Sequence, residues 1–204
     1  MNVPKLRQLL RRMLRRPPAA PATPSAVPPA DGRGRRLVAV IECLLNQNAR
    51  DAGAAESPAM AWDLVSLCHE HGVGLLQLPC PEIACLGLER TQAPGCSLRG
   101  ALDTDTGHAR CAGLAVDAAD RLQAYAHGGC EVLAVLGGNG QSPGCAVSLD
   151  GDTLRPESGL LMRALQAELR GRGLEIPFRG LRDADPALLA QDLDWLRSRL
   201  RAPV

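Results

Sequence analysis

Residues 36–43, RLVAVIEC, decide the fold. Five apolar residues run without interruption from Leu37 to Ile41, which is typical of a strand covered on both faces, as in a parallel sheet. Cys43 ends this predicted strand, and the residues that follow, LLNQNARDAG, become polar. The sequence therefore places a cysteine where a buried strand opens into a polar loop.

The rest of the chain alternates between apolar runs and amphipathic stretches. Further strands are predicted at GLLQLPC (74–80), CEVLAVLG (130–137) and EIPFRGL (175–181), the last being weaker because Pro177 lacks a backbone donor. Apolar residues at helical spacing predict helices over 58–71, 105–127 and 158–172 and a closing helix marked by Leu189, Leu193, Leu196 and Leu200.

This order predicts an α/β fold with an open, mainly parallel four-stranded sheet, Rossmann-like or flavodoxin-like, and helices on both faces. A small hairpin turn is expected at Asp150-Gly151. Residues 81–104 are expected to form one long loop, which is often a lid or a binding loop.

Three domain segments follow from composition. Residues 1–16 form a basic amphipathic segment, residues 17–35 a Pro/Ala-rich linker, and residues 36–204 a single α/β domain. Two interpretations of residues 3–16 stay open: a solvated, weakly helical extension, or a helix for a membrane surface or an acidic partner. The oligomeric state is left open.

Charge and aromatic content restrict the function of the predicted domain. Residues 1–36 carry nine Lys or Arg and one acid in a chain of net charge +1, so the remainder is acidic. Aromatic residues make up only 2%. An acidic surface with few stacking rings argues against a nucleic-acid partner for the folded domain. No apolar run suits a membrane span or a secretory signal, so we expect a cytoplasmic protein whose eight cysteines are thiols or metal ligands.

Three cysteines fall at or beyond the ends of the first three predicted strands. They are Cys43, Cys80 and Cys145. Strand order 2-1-3 brings these ends to one edge of the sheet, so three thiolates could meet at one metal site. The alternative is that they are ordinary buried cysteines. Cys85 and Cys96 remain candidate ligands in the loop 81–104, and Cys68 and Cys111 belong to apolar helix faces.

Three ordered blocks around these cysteines resemble the 2-thiouracil desulfurase-like desulfidase family. CLLNQNARDAG (43–53) is similar to C-L-L-G-x-x-x-R-Y-D-G, CPEIACLGLER (80–90) to C-P-E followed by G-L and an arginine, and SPGC (142–145) to S-P-S-C. The similarity extends from Val38 to about Arg182. Asn46 and Gly144 stand where the family has Gly and Ser, so the substrate of this chain is left open.

The resemblance implies a [4Fe-4S] cluster held by Cys43, Cys80 and Cys145, with one iron open to a small thiolated substrate. It implies a desulfidase that converts a thiocarbonyl to a carbonyl by addition of water. Glu82 is the candidate general base, and Ser142 could donate a hydrogen bond or relay a proton.

Polar side chains near these blocks are candidates for binding the substrate. They are Asn46, Gln47, Asn48, Arg50 and Arg90. Two alternatives to the desulfidase stay open: a small α/β nucleotide- or flavin-binding module without a cluster, and an interaction protein recruited through residues 3–16. The segment GGNGQ (137–141) matches no phosphate-loop pattern, and close backbone approach to a cluster or substrate explains its glycines at least as well.

Overall fold

A four-stranded parallel sheet forms the centre of the compact unit that begins at Gly34, as shown by a computed structural model that describes residues 31–201. Its strand order is β2-β1-β3-β6. The strands are β1 (Arg36–Ile41), β2 (Gly74–Leu78), β3 (Glu131–Gly137) and β6 (Phe178–Gly180). All three strand pairings are parallel, which confirms the predicted open α/β fold. The segment 1–16 and residues 17–30 of the predicted linker lie outside the described residues.

Seven α-helices accompany the sheet within residues 31–201. They are α1 (Glu42–Leu45), α2 (Trp62–Glu70), α3 (Pro81–Leu86), α4 (Leu98–Leu102), α5 (Asp105–His127), α6 (Leu160–Gly171) and α7 (Pro186–Leu200). Helix α5 packs on α6, and α2 packs on α7. No helix of this part of the chain combines the length and apolar character that crossing a membrane requires.

The core lies against both faces of β1. Val38, Ala39, Val40 and Ile41 are all fully buried. Because successive strand residues point to opposite faces, four buried neighbours mean that helices cover the sheet on each side. The edge strands are less buried, and β6 is shorter than predicted, with the carbonyl of Pro177 accepting from Val135 just before it begins.

The predicted loop 81–104 is wrong in part, because it contains α3 and α4. Helix α3 starts with Pro81 at its first position, and α4 is capped by the hydroxyl of Ser97, which accepts from the amide of Gly100. Both helices are too short to show a helical repeat in the sequence. The expected hairpin is present as β4 (Leu149–Asp150) paired with β5 (Thr153–Leu154).

The compact unit that begins at Gly34 carries every cysteine of the chain. All eight are free.

Candidate active site

A cavity of about 420 Å³ lies beyond the carboxyl ends of β1, β2 and β3. Cys43, Cys80 and Cys145 all contribute to its wall. Parallel strands deliver their following loops to the same sheet edge, which is why residues so distant in sequence meet here. The structure therefore brings the three predicted cysteines together, while their role as cluster ligands stays a prediction.

Each cysteine is held by a different local structure. Cys43 lies in the single turn of α1 rather than in the strand, since β1 ends at Ile41. Cys80 precedes α3, and its amide donates to Oε2 of Glu42 at 3.0 Å. Cys145 lies in the loop after β3, where its amide donates to the hydroxyl of Ser142 at 3.0 Å. These backbone contacts fix the Cα positions from which the thiols enter the cavity.

Gly138 shows how close two of the sulfurs are. A Cβ atom added to Gly138 would lie 2.9 Å from Sγ of Cys145 and 3.9 Å from Sγ of Cys43. The two sulfurs are therefore no further apart than the sum of these distances. The absence of a side chain at Gly138 leaves the Cys145 sulfur its space.

Burial makes all three thiols poor acids. It raises the pKa of Cys43 to about 11, although the charge of Arg50 works in the opposite direction. Burial also raises the pKa of Cys80 and raises that of Cys145 well above its ordinary value. The cysteines are thus neutral near pH 7, and any metal that binds them must displace their protons.

A chain of hydrogen bonds runs along the cavity wall from Arg90 to Cys145. Nε of Arg90 donates to Oε2 of Glu82 at 3.1 Å, and the hydroxyl of Ser142 donates to Oε1 of Glu82 at 2.6 Å. Oγ of Ser142 is also 3.2 Å from Sγ of Cys145. Both carboxylate oxygens of Glu82 are therefore engaged, and its side chain has a single defined orientation beside the thiols.

The two predicted arginines line the cavity but have protein partners. Arg50 forms an ion pair with Asp183 and donates to the carbonyl of Ala54 at 2.9 Å. Nη2 of Arg90 donates to the carbonyl of Ala49 at 2.5 Å and lies 3.8 Å from Sγ of Cys80. Both guanidinium groups are engaged in holding loops around the cavity.

The predicted carboxamides lie outside the cavity wall. Asn46 is exposed, and its side chain accepts from the amide of Asn48 in a short 3₁₀ turn at Gln47–Ala49. Gln47 is buried: it donates to the carbonyl of Cys43 at 3.0 Å and accepts from the amide of Glu56 at 2.9 Å. In the structure these three residues shape the loop after Cys43.

Several wall residues were not predicted. Asp51 and Glu56 add acidic groups, and Asn139 and Gln141 add amides from the segment GGNGQ. Asn139 and Gln141 lie within GGNGQ, a segment whose glycines predict close backbone approach to a cluster or substrate, and this position is the signal that indicates them. No spacing signal distinguishes the other two from ordinary loop acids.

The remaining cysteines lie away from the cavity wall. The thiol of Cys85 interacts with that of Cys111 on α5, and Cys96 is exposed. Cys68 is buried in the core. Neither open candidate in residues 81–104 therefore joins the three cysteines at the strand ends.

Within residues 31–201, no three His, Cys, Asp or Glu side chains are arranged to hold a single metal ion. A polynuclear cluster makes a different demand, since each thiolate binds a different corner and the sulfurs stand further apart than around one ion. The sulfurs of Cys43 and Cys145 both lie near Gly138, and Cys80 lines the same cavity.

No family model matches the chain, and no solved structure matches it. The chain is similar to an uncharacterized protein of Methanocaldococcus jannaschii, with 33% identity over 58 residues. The match covers 28% of this chain and 37% of that protein, so the chain aligns with well under half of this relative.

Proposed function

We propose that the protein is a desulfidase that removes sulfur from a small thiolated compound with a [4Fe-4S] cluster. The observation that carries the proposal is the meeting of Cys43, Cys80 and Cys145 on a cavity whose wall also holds Glu82 and Ser142. The overall reaction converts a thiocarbonyl and water to a carbonyl and hydrogen sulfide. The reducing cytoplasm, which keeps cysteines as thiols, suits this chemistry.

The donor set fits the proposed group. Soft thiolates select iron–sulfur clusters, and three of them would leave one iron without a protein ligand. The cavity of about 420 Å³ has room beside the thiols. Because Gly138 has no side chain, nothing at this position clashes with the Cys145 sulfur. When bound, such a cluster supplies a soft Lewis acid for a thiocarbonyl sulfur, which makes the attached carbon electrophilic.

The residues of the chain supply the proton chemistry. A water molecule near Ser142 would give its proton to Oγ while the hydroxyl hydrogen passes along the existing 2.6 Å hydrogen bond to Oε1 of Glu82. Glu82 would then return this proton to the leaving sulfur as the C–S bond breaks, and the second proton of the hydrogen sulfide comes from the added hydroxyl, which loses it as the carbonyl forms. The charge of Arg90 beside Oε2 holds Glu82 in place during both steps.

Anaerobic reconstitution tests the proposal. The full chain is incubated with iron and sulfide, and its iron content, visible absorbance and sulfide release from 2-thiouracil and simple thioamides are measured. We expect a brown protein with about four irons per chain that releases sulfide from at least one of these compounds. A protein that takes up no iron and instead carries a nucleotide or a flavin would contradict the proposal and favour a binding module.

A further inference from the structure

Arg90 has a more specific place in the site than contact with a substrate would require. Only 4% of its surface is exposed, and its backbone has a φ of 45°, in the left-handed region that arginine rarely adopts. A residue keeps such a conformation where surrounding contacts fix it. The contacts of the guanidinium group indicate the role of this side chain.

The Arg90 side chain contacts four residues, of which Glu82 and Cys80 line the cavity. Nε donates to Glu82, Nη1 donates to the carbonyl of Leu88 at 3.0 Å, and Nη2 reaches both the carbonyl of Ala49 and the sulfur of Cys80. A guanidinium has five N–H donors in a rigid fork. With four contacts already made, little of the fork is left for a substrate.

Glu82 divides its two oxygens between two partners as a result. Arg90 holds Oε2, and Oε1 is left to accept from Ser142. Rotation of the carboxylate would break both hydrogen bonds at once. Arg90 therefore selects the one orientation in which Glu82 faces the hydroxyl that lies beside Cys145.

The contact with Cys80 adds an electronic effect. Nη2 lies 3.8 Å from the Cys80 sulfur, and the guanidinium is a permanent cation. Hydrogen bonds and positive charge near a sulfur ligand draw electron density from it, and such contacts tune the potential of an iron–sulfur cluster.

We propose that Arg90 is a positioning residue that orients Glu82 and raises the reduction potential of a cluster bound through Cys80. This inference rests on the proposed function. It differs from the expectation that Arg90 binds the substrate, since each of its three side-chain nitrogens already donates to a protein oxygen. The same residue would then act both on the proton relay, through Glu82, and on the cluster, through Cys80.

The test compares Arg90→Lys and Arg90→Gln with the wild type. Both variants keep a Cβ atom, so the backbone strain at position 90 is the same in all three proteins. Arg90→Lys retains the positive charge but lacks the planar set of guanidinium donors, and Arg90→Gln lacks both the charge and these donors. Arg110→Gln, on an exposed position of α5, serves as the matched control.

We expect both variants to fold and to bind iron at the wild-type ratio. Their kcat with 2-thiouracil or the most active thioamide should fall by about 10- to 100-fold, with KM nearly unchanged. The midpoint potential, measured by a mediated titration followed by EPR, should fall in both, and further in Arg90→Gln. The Arg110→Gln control should match the wild type in all three measurements.

Several results would overturn the inference. They are unchanged kcat and potential in a fully loaded Arg90→Gln, a rise in KM alone, and loss of iron from both variants. If Arg90→Gln does not fold, Arg90→Lys decides by the same criteria.

Failure of the proposed function would look different. If the wild type binds a cluster but releases no sulfide, the proposed function is wrong. The midpoint potentials of the wild type and the two variants still test the role of Arg90. If the wild type binds no cluster, crystal structures of wild type and Arg90→Gln decide, and an unchanged Glu82 rotamer would overturn the inference.

Discussion

The hydroxyl of Ser142 donates to Oε1 of Glu82 at 2.6 Å, although sixty positions of sequence separate the two residues. The Ser142 hydroxyl oxygen also accepts from the amide of Cys145 and lies 3.2 Å from the Cys145 sulfur. One hydroxyl thus connects helix α3, which follows β2, with the loop after β3. The candidate proton relay and two of the candidate ligands are parts of a single hydrogen-bonded unit.

Replacing Glu82 should abolish most of the activity without loss of bound iron. Glu82→Gln keeps the shape of the side chain, but its amide cannot take a proton from Ser142. We expect kcat to fall by about 100-fold or more, in the range of general acid–base catalysis, while the iron content is retained. Glu89→Gln, at an exposed position nearby, is the control and should keep full activity. Equal sulfide release from both variants would remove Glu82 from the mechanism.

The three strand-end cysteines should behave differently from the others when cluster binding is measured. Cys43→Ala, Cys80→Ala and Cys145→Ala should each lose most of the bound iron and the brown absorbance, since a cluster held by three thiolates tolerates little loss. Cys96→Ala removes an exposed thiol away from the cavity wall and should match the wild type. If Cys43→Ala retains its iron and its absorbance, the ligand assignment is wrong.

The sheet was predictable because its signals are local. The uninterrupted apolar run of β1 indicates a strand covered on both faces, and the capped, 23-residue helix α5 shows its repeat over many turns. Helices α3 and α4 were missed because six and five residues are too few for a period to emerge. Short helices depend on caps and on tertiary packing, and neither is visible in spacing.

The site was predictable only in its outline. That cysteines after β1, β2 and β3 share one edge follows from parallel topology. Two contacts depend on how the segments after the strands pack in the folded chain: the hydrogen bond from Arg90 to Glu82 and the one from the Cys80 amide to Glu42. No periodic or compositional signal in the sequence encodes such contacts.

Asp192 should contribute more to stability than any surface acid of its helix. It is fully buried on α7 and accepts from Nε of Arg179 at 2.7 Å and from the backbone amide, Nε and Nη2 of Arg182. Asp192→Ala removes the acceptor of these hydrogen bonds and should lower the free energy of unfolding by about 2 kcal/mol. The loss is no larger because Arg179 and Arg182 are partly exposed and can be solvated by water. Asp194→Ala breaks an exposed pair with Arg197 on the same helix and should cost less than about 0.5 kcal/mol. Urea denaturation measures both, and equal midpoints would contradict the prediction.

Gly138 and Gly140 form a matched pair for testing whether the space beside Cys145 matters. A Cβ atom at position 138 would lie 2.9 Å from the Cys145 sulfur, whereas one at position 140 would meet nothing within 4 Å. Gly138→Ala must therefore displace Cys145 or the loop that carries it, at a cost of about 1–3 kcal/mol. We expect reduced iron content and a lower melting temperature for Gly138→Ala, and wild-type values for Gly140→Ala. Iron analysis and thermal denaturation of the two variants check this. A fully loaded, equally stable Gly138→Ala would mean that the cysteine sulfurs tolerate displacement, which a site of fixed geometry would not.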